Sequence, residues 1–350
     1  MSQGKLSVFA DGIPSFFVVG TPFQSLCAVE AINHFCIVDY EVFVLLFYNE
    51  KRIDQVDTIF RLFDIKYSII HINGYSSFKF FIKGILKKVT YKRAFVGNYY
   101  SITCSSLAVT KLAKFGAVIY MDDGNSTISI LKNRLSAVKL SMGYKGVRLL
   151  VHIVAAFKSI SIERYFFSVY SDIKTDKFIV RTNDLSSITH KINIDYQCEA
   201  VTLFIGTNPE DFCKENHIHV EIYNKVLRRV LTKMNETGSK LLYIPHGLDN
   251  SLPIKDFCDD VGIEFIRPSV CVELFLISRN YSVVEAAGFS SSALFNIKKM
   301  YPEALVRNLR FISHIDSQDY SDIAEYYAQN GIINEKINVD GDGFTFNIGL

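Results

Sequence analysis

Short apolar runs alternate with stretches of helical spacing along most of the chain. SFFVVG (residues 15–20) has the continuous apolar character of a buried strand, and SLCAVEAINHF after it has helical spacing. YEVFVLLFY (40–48) predicts a second strand, followed by the helical RIDQVDTIFRLF; YSIIHI (67–72) predicts a third. RAFVGN (93–98) and AVIYMDDG (117–124) predict two more, with SSLAVTKLAKF as a helix between them. Past residue 125 the pattern blurs, then restarts with strands at EAVTLFIGTN (199–208), KLLYIPHG (240–247) and IEFIRP (263–268). VEIYNKVLRRVLTKM (220–234) and CVELFLISR (271–279) are helical, and YSVVEAAGFSSSALFN (281–296) reads as a short strand and turn, then a helix.

Strands alternating with helices imply parallel βαβ units and hence a doubly wound α/β sheet. The restart near residue 199 predicts a second such unit, with 182–197 (TNDLSSITHKINIDYQ), rich in Ser, Thr, Asn and Asp, as the linker. The expected organisation is an N-terminal Rossmann-like domain over 1–190, a second over 199–315, and a C-terminal helix and tail over 316–350, the two domains facing one another across a cleft. In open α/β sheets ligands bind at the carboxyl ends of strands. The residues directly after the apolar runs are therefore the candidates for chemistry.

The bulk composition narrows the class. The chain has 350 residues, 49% apolar and 21% charged, with 28 Phe, 19 Tyr and no Trp, the balance of a globular protein. No apolar run reaches the roughly 18–20 residues of a membrane-spanning helix, and the first residues lack a signal-peptide pattern. A cytoplasmic protein is expected. Seven cysteines form no CxxC pair and are expected to be reduced, mostly buried side chains. A net charge of +2 gives no reason to expect nucleic acid as a partner. The basic stretches 79–93 and 132–158 suit peripheral contact with an anionic inner-membrane surface; a solvated face on core helices accounts for them equally well.

Five strand ends carry candidate groups. Thr21, Pro22 and Gln24 in GTPFQ either offer hydrogen bonds to a ligand or form an ordinary helix start, with Thr21 as N-cap and Pro22 at the first position. Asp122 and Asp123, followed by Gly124, are either a turn or a catalytic base with a neighbouring charge. Gly206, Thr207 and Asn208 form a turn that a ligand can approach closely, and His246 stands between Pro245 and Gly247. Ser290, Ser291 and Ser292 run into a helical segment, converging hydroxyls and free amides at one helix start; N-capping alone needs only one of them. Cys213, His217 and His219 lack a second half-site with zinc spacing. Neither a G-x-x-x-x-G-K-[ST] loop nor a G-x-G-x-x-G fingerprint is present, which argues against ATP and NAD.

GTPFQ, DDG, PHG and SSS, in this order, resemble the bacterial sialyltransferases of the lipooligosaccharide type (glycosyltransferase family 52) and the related polysialyltransferases. Those enzymes have a [D/E]-[D/E]-G motif, an H-P motif and an S-[S/T] motif at similar spacing; the resemblance runs from about residue 15 to about 315. It implies a GT-B fold and inverting transfer from a CMP-linked sialic acid or related nonulosonic acid to a sugar hydroxyl, galactose by expectation, of a bacterial surface glycan. It implies no cofactor and no metal: CMP carries a single phosphate. By the same resemblance Asp123 is the general base, His246 serves the leaving-group phosphate, and Ser291 and Ser292, with Ser290, bind it. Glu273 lies where related enzymes place a carboxylate on the ribose, Gly206, Thr207 and Asn208 complete the donor side, and Thr21, Pro22, Gln24, Asp122 and Gly124 line the acceptor side. The family's His-Pro is His246–Gly247 here. Two other readings stay open: a GT-B enzyme using another nucleotide sugar, and a non-catalytic scaffold on a membrane surface.

Overall fold

A computed structural model describes residues 7–46, 51–71, 91–132, 162–190, 198–247, 249, 252–312, 318–340 and 343–346. The chain divides into two compact units, Met1–His190 with Ser269–Cys271, and Lys191–Pro268 with Val272–Leu350. In the first, β1 (Ser15–Val19), α1 (Pro22–His34), β2 (Tyr40–Leu46), α2 (Lys51–Leu62) and β3 (Ser68–His71) follow one another. Then come β4 (Tyr91–Val96), α3 (Ile102–Lys111), β5 (Leu112–Met121), α4 (Ser126–Leu131), β6 (Glu163–Ser168), β7 (Ile179–Thr182) and α5 (Ser186–Thr189). The strand order is β3-β2-β1-β4-β5-β6-β7, and every pairing is parallel.

β1 is buried along its whole length, as a strand covered on both faces of a parallel sheet must be. Phe17 on β1 stacks on Phe95 of β4 with centroids 4.6 Å apart. At the opposite end of β4 the buried Arg93 donates to Ser15 Oγ at 2.6 Å and to the carbonyls of Val8 and Ala10 at 3.0 Å. Arg93 belongs to the basic stretch 79–93, yet it ties down the N-terminal segment instead of facing solvent. The rest of that stretch up to residue 90, and 133–158 of the other, lie outside the described residues.

The second unit repeats the plan. It contains β8 (Glu199–Ile205), α6 (Pro209–Asn216), α7 (Val220–Asn235), β9 (Lys240–Ile244), α8 (Leu252–Val261), β10 (Glu264–Phe265), α9 (Val272–Ser278) and β11 (Tyr281–Phe289). It continues with α10 (Ser292–Met300), β12 (Leu305–Ile312), α11 (Gln318–Gln329), β13 (Ile333–Asp340) and β14 (Gly343–Phe346). The order β10-β9-β8-β11-β12-β13-β14 matches the first sheet, with β14 alone antiparallel. Phe204, Phe212, Tyr223, Phe289 and Phe311 lie at the centre of its core.

The expected pair of Rossmann-like α/β domains is thus present. Several elements differ from the sequence reading. The helix expected over 105–115 ends at Lys111, and β5 begins at Leu112 with a register irregularity before Arg93↔Ala117, where Phe115 takes a left-handed φ of 63°. The linker expected over 182–197 is folded as far as His190: Thr182 ends β7, and Ser186–Thr189 is α5. The buried Glu30 on α1 accepts from the backbone amides of Ser187 and Ile188 at 3.0 and 3.1 Å, fastening α5 to α1. Residues 316–350 are not an appended helix and tail, because β13 and β14 extend the second sheet.

Candidate active site

Both sheets reverse their strand order beside the first strand of each unit, between β1 and β4 and between β8 and β11. At such a point the connections leave to opposite sides, and a crevice opens at the carboxyl ends of the strands. In the first unit the ends of β1, β4 and β5 are neighbours, and they carry Gly20–Gln24, Gly97 and Asp122–Gly124.

Thr21 is the N-cap of α1 and accepts from the Gln24 amide at 3.2 Å, with Pro22 at the helix start. The capping reading of GTPFQ therefore describes Thr21 and Pro22 in this structure. Gln24 does something else. It is 2% exposed, its Oε1 accepts from Gly20 N at 2.8 Å, and its Nε2 donates to Asp123 Oδ1 at 2.6 Å. A hydrogen bond to a charged acceptor contributes on the order of 1.5–3 kcal/mol, enough to select one arrangement of the Asp123 side chain.

The two adjacent aspartates diverge. Asp122 is fully buried, accepting from Ser168 Oγ at 2.5 Å and from Val169 N at 2.8 Å, and so fastens the end of β6 to β5. With no exposed surface it cannot touch an acceptor, which corrects its expected place on the acceptor side. Asp123 is partly exposed, and Gly124 turns the chain at φ 68°. Ser126 Oγ donates to Asp123 O at 2.8 Å, so this turn enters α4 with Asp123 held through both backbone and side chain.

In the second unit β9, β8 and β11 are neighbours, and their ends carry Pro245–Gly247, Gly206–Asn208 and Ser290–Ser292. Gly206 N donates to Ile244 O at 2.8 Å, and a Cβ on Gly206 would lie 2.7 Å from the Tyr243 hydroxyl and 3.1 Å from Pro245 Cα. Only glycine lets these two strand ends close up. Thr207 and Asn208 are half-buried, and Asn208 Nδ2 donates to Asp211 Oδ2 at 2.5 Å. His246 is exposed, its carbonyl accepts from Asp249 N at 2.8 Å, and Arg267 donates to Asp249 O at 2.6 Å, bracing the turn. A Cβ on Gly247 would meet nothing within 4 Å, so space does not demand glycine at this position.

Ser290 takes a left-handed φ of 50° and donates its amide to Asn308 Oδ1 at 3.0 Å. A non-glycine residue in this region costs about 1–2 kcal/mol and persists where surrounding contacts enforce it. Ser291 occupies the N-cap of α10, but its hydroxyl makes no capping bond; Ser291 and Ser292 are both half-exposed. Ordinary capping therefore does not account for the three serines. Glu273, at the start of α9, is buried and accepts from Asn296 Nδ2 of α10 at 2.7 Å. Asn296 Oδ1 finds no hydrogen-bond partner among the described residues.

Gly97, Arg267 and Asn296 escape a sequence reading. Gly97 and Arg267 do stand directly after apolar runs, where the other candidates were found; Asn296 is inside a helix and carries no such signal. Burial pushes the Cys213 thiol up to about 11, and no group of three His, Cys, Asp or Glu side chains among the described residues could hold a metal ion. None of the seven cysteines is in a disulfide; four are buried and Cys36 is exposed. No helix among the described residues is long and apolar enough to cross a membrane.

No protein-family model matches the chain, and neither does any curated protein. Among solved structures it is similar to a sialyltransferase from Photobacterium damsela, with 10% identity, a TM-score of 0.47, and coverage of 92% of this chain and 81% of that one. It is also similar to a UDP-GlcNAc 2-epimerase from Neisseria meningitidis bound to UDP-GlcNAc, with 14% identity, a TM-score of 0.48, and coverage of 92% of this chain and 87% of that one.

Proposed function

We propose that the chain is an inverting glycosyltransferase that moves a sialic acid or related nonulosonic acid from its CMP-linked donor to a hydroxyl of a surface glycan. The observation that carries this reading is positional. Motifs scattered from residue 20 to residue 292 all fall at carboxyl ends of parallel strands around a switch point, two strand ends in the first sheet (β1 and β5, on either side of β4) and three neighbouring ones in the second (β9, β8 and β11).

The roles follow from the chemistry of each group. Asp123, partly exposed and oriented by Gln24, accepts the proton of the acceptor hydroxyl. The hydroxyl oxygen forms the new bond to the anomeric carbon as the bond from that carbon to the CMP phosphate oxygen breaks, inverting the centre. Negative charge then grows on one phosphate. The hydroxyls of Ser291 and Ser292, the amides at the start of α10 and the exposed His246 suit that charge. Gly206–Asn208 suit the nucleotide; Glu273, buried and engaged by Asn296, links α9 to α10 instead of meeting the ribose hydroxyls. A single phosphate asks for no divalent ion beyond these groups, and galactose is the acceptor sugar to try first.

The test is incubation of the full chain with CMP-sialic acid and a panel of galactosides, with mass and linkage analysis of the product. Asp123→Asn should lower kcat by about 10²–10⁴-fold, the range of general-base contributions, while CMP affinity stays within twofold. Full transfer by Asp123→Asn removes Asp123 as the base. Thermal stabilisation by UDP and not by CMP would replace the donor class.

A further inference from the structure

Gln24 was expected to contact a ligand, yet both ends of its side-chain amide are bonded inside the first unit. Its amide group spans two strand ends: Oε1 is held by Gly20 N of the β1 turn at 2.8 Å, and Nε2 reaches Asp123 Oδ1 at the end of β5 at 2.6 Å. Gln24 and Asp123 are 99 positions apart in the sequence. The bond from Gly20 N fixes which end of the amide is the oxygen, so the end facing Asp123 must be the donor. β4 lies between β1 and β5, and its end supplies the space. A Cβ on Gly97 would stand 2.5 Å from Gln24 Oε1, 2.7 Å from its Cδ and 2.8 Å from its Cβ. The contact includes the stem of Gln24, so bending the amide tip away would not relieve it.

We infer that Gln24, seated over Gly97, is a positioning residue that aims the Asp123 carboxylate and holds it ready to accept a proton; this rests on the reading of Asp123 as the base. An amide donor stabilises the charged carboxylate. Removing it makes ionisation harder, so the acid limb of the rate profile moves to higher pH. Titratable groups near Asp123 include Asp122, engaged by Ser168 and Val169, and Cys104 on α3. Burial pushes the Cys104 thiol up to about 12, so it stays neutral through an assay between pH 5 and 9.

The experiment measures kcat, KM for donor and acceptor, the pH profile of kcat/KM and the melting temperature. Gln24→Ala should lower kcat by roughly 10–100-fold, leave donor KM within twofold, and raise the acid limb by about one pH unit. Gln24→Glu, which sets a second carboxylate against Asp123, should raise the limb further. Gly97→Ala, which displaces Gln24 without touching its chemistry, should shift the limb in the same direction. A merely structural Gln24 would lower the melting temperature and leave the limb where it is, and that result overturns the inference. In the wild-type protein the side-chain amide proton of Gln24 should follow the titration of Asp123 by NMR; a signal that ignores it also overturns the inference, whether or not the variants fold. Failure of the underlying reading looks different: Asp123→Asn itself would retain transfer.

Discussion

Asp122 and Asp123 are chemically identical neighbours with opposite fates, and the difference lies in which element each side chain meets. Asp122 turns to β6 and is consumed by Ser168 and Val169; Asp123 turns to α1 and remains partly exposed. The sequence marks the pair as an anomaly after an apolar run, but it cannot separate them, because the partner strand lies in a region where the pattern is weak. Ser290 is the opposite case: the serine run is visible in sequence, and its left-handed backbone is not. Ser290→Gly should raise the unfolding free energy by about 1 kcal/mol, since glycine adopts that φ without the Cβ penalty. Urea denaturation measures it; an unchanged or lower midpoint would mean that the serine's contacts outweigh its strain.

At the scale of elements, the strands legible in advance were those with continuous apolar runs, such as β1, β2 and β8. β12 was missed because LVRNLRFI carries Arg307, Asn308 and Arg310, which read as solvent-facing. In the fold Arg307 is buried between Glu285 of β11 and Glu335 of β13, and Asn308 Nδ2 donates to Asn334 at 2.8 Å. Arg307→Met would leave two buried carboxylates facing one another, and should cost about 3–5 kcal/mol of stability, read as a fall in denaturation midpoint at neutral pH. α5 was missed because its anchor, Glu30, sits inside an otherwise apolar helix pattern. Burial raises the Glu30 carboxyl above its ordinary value of 4.5, against the lowering effect of the Ser187 and Ile188 amides. Its contribution to stability is therefore fully present below pH 4.5 and is lost as pH rises through the raised folded value. The melting temperature of wild type relative to Glu30→Gln should fall as pH is taken from 4 to 7; a difference constant across that window would contradict the assignment.

On the scale of the whole molecule, two units repeat one strand order with different chemistry at their strand ends: a carboxylate in the first, serines, a histidine and helix amides in the second. The duplication was legible because the alternation of strand and helix restarts near residue 199. The extent of the second sheet was not, since β13 and β14 lie in a stretch with little apolar periodicity. Donor binding by the second unit predicts a local response. With CMP at saturation, hydrogen exchange of the full chain should slow at the ends of β8, β9 and β11 and the start of α10, and stay unchanged at the end of β5. Protection confined to the first unit would reverse the assignment of roles.

The strand order also sets a timetable. β1 must wait for β4, where Ser15 pairs with Arg93, and β8 must wait for β11, where Glu199 pairs with Tyr281. These central pairings close the longest loops in their sheets, so they carry a large entropic barrier and slow folding relative to the shorter βαβ crossovers and helices around them. The crevices that hold the candidate residues are therefore completed late. A ribosome-bound chain that has not yet released β11 has β8 and β9 but no serine run beside them, and the candidate site of the second unit is not yet built.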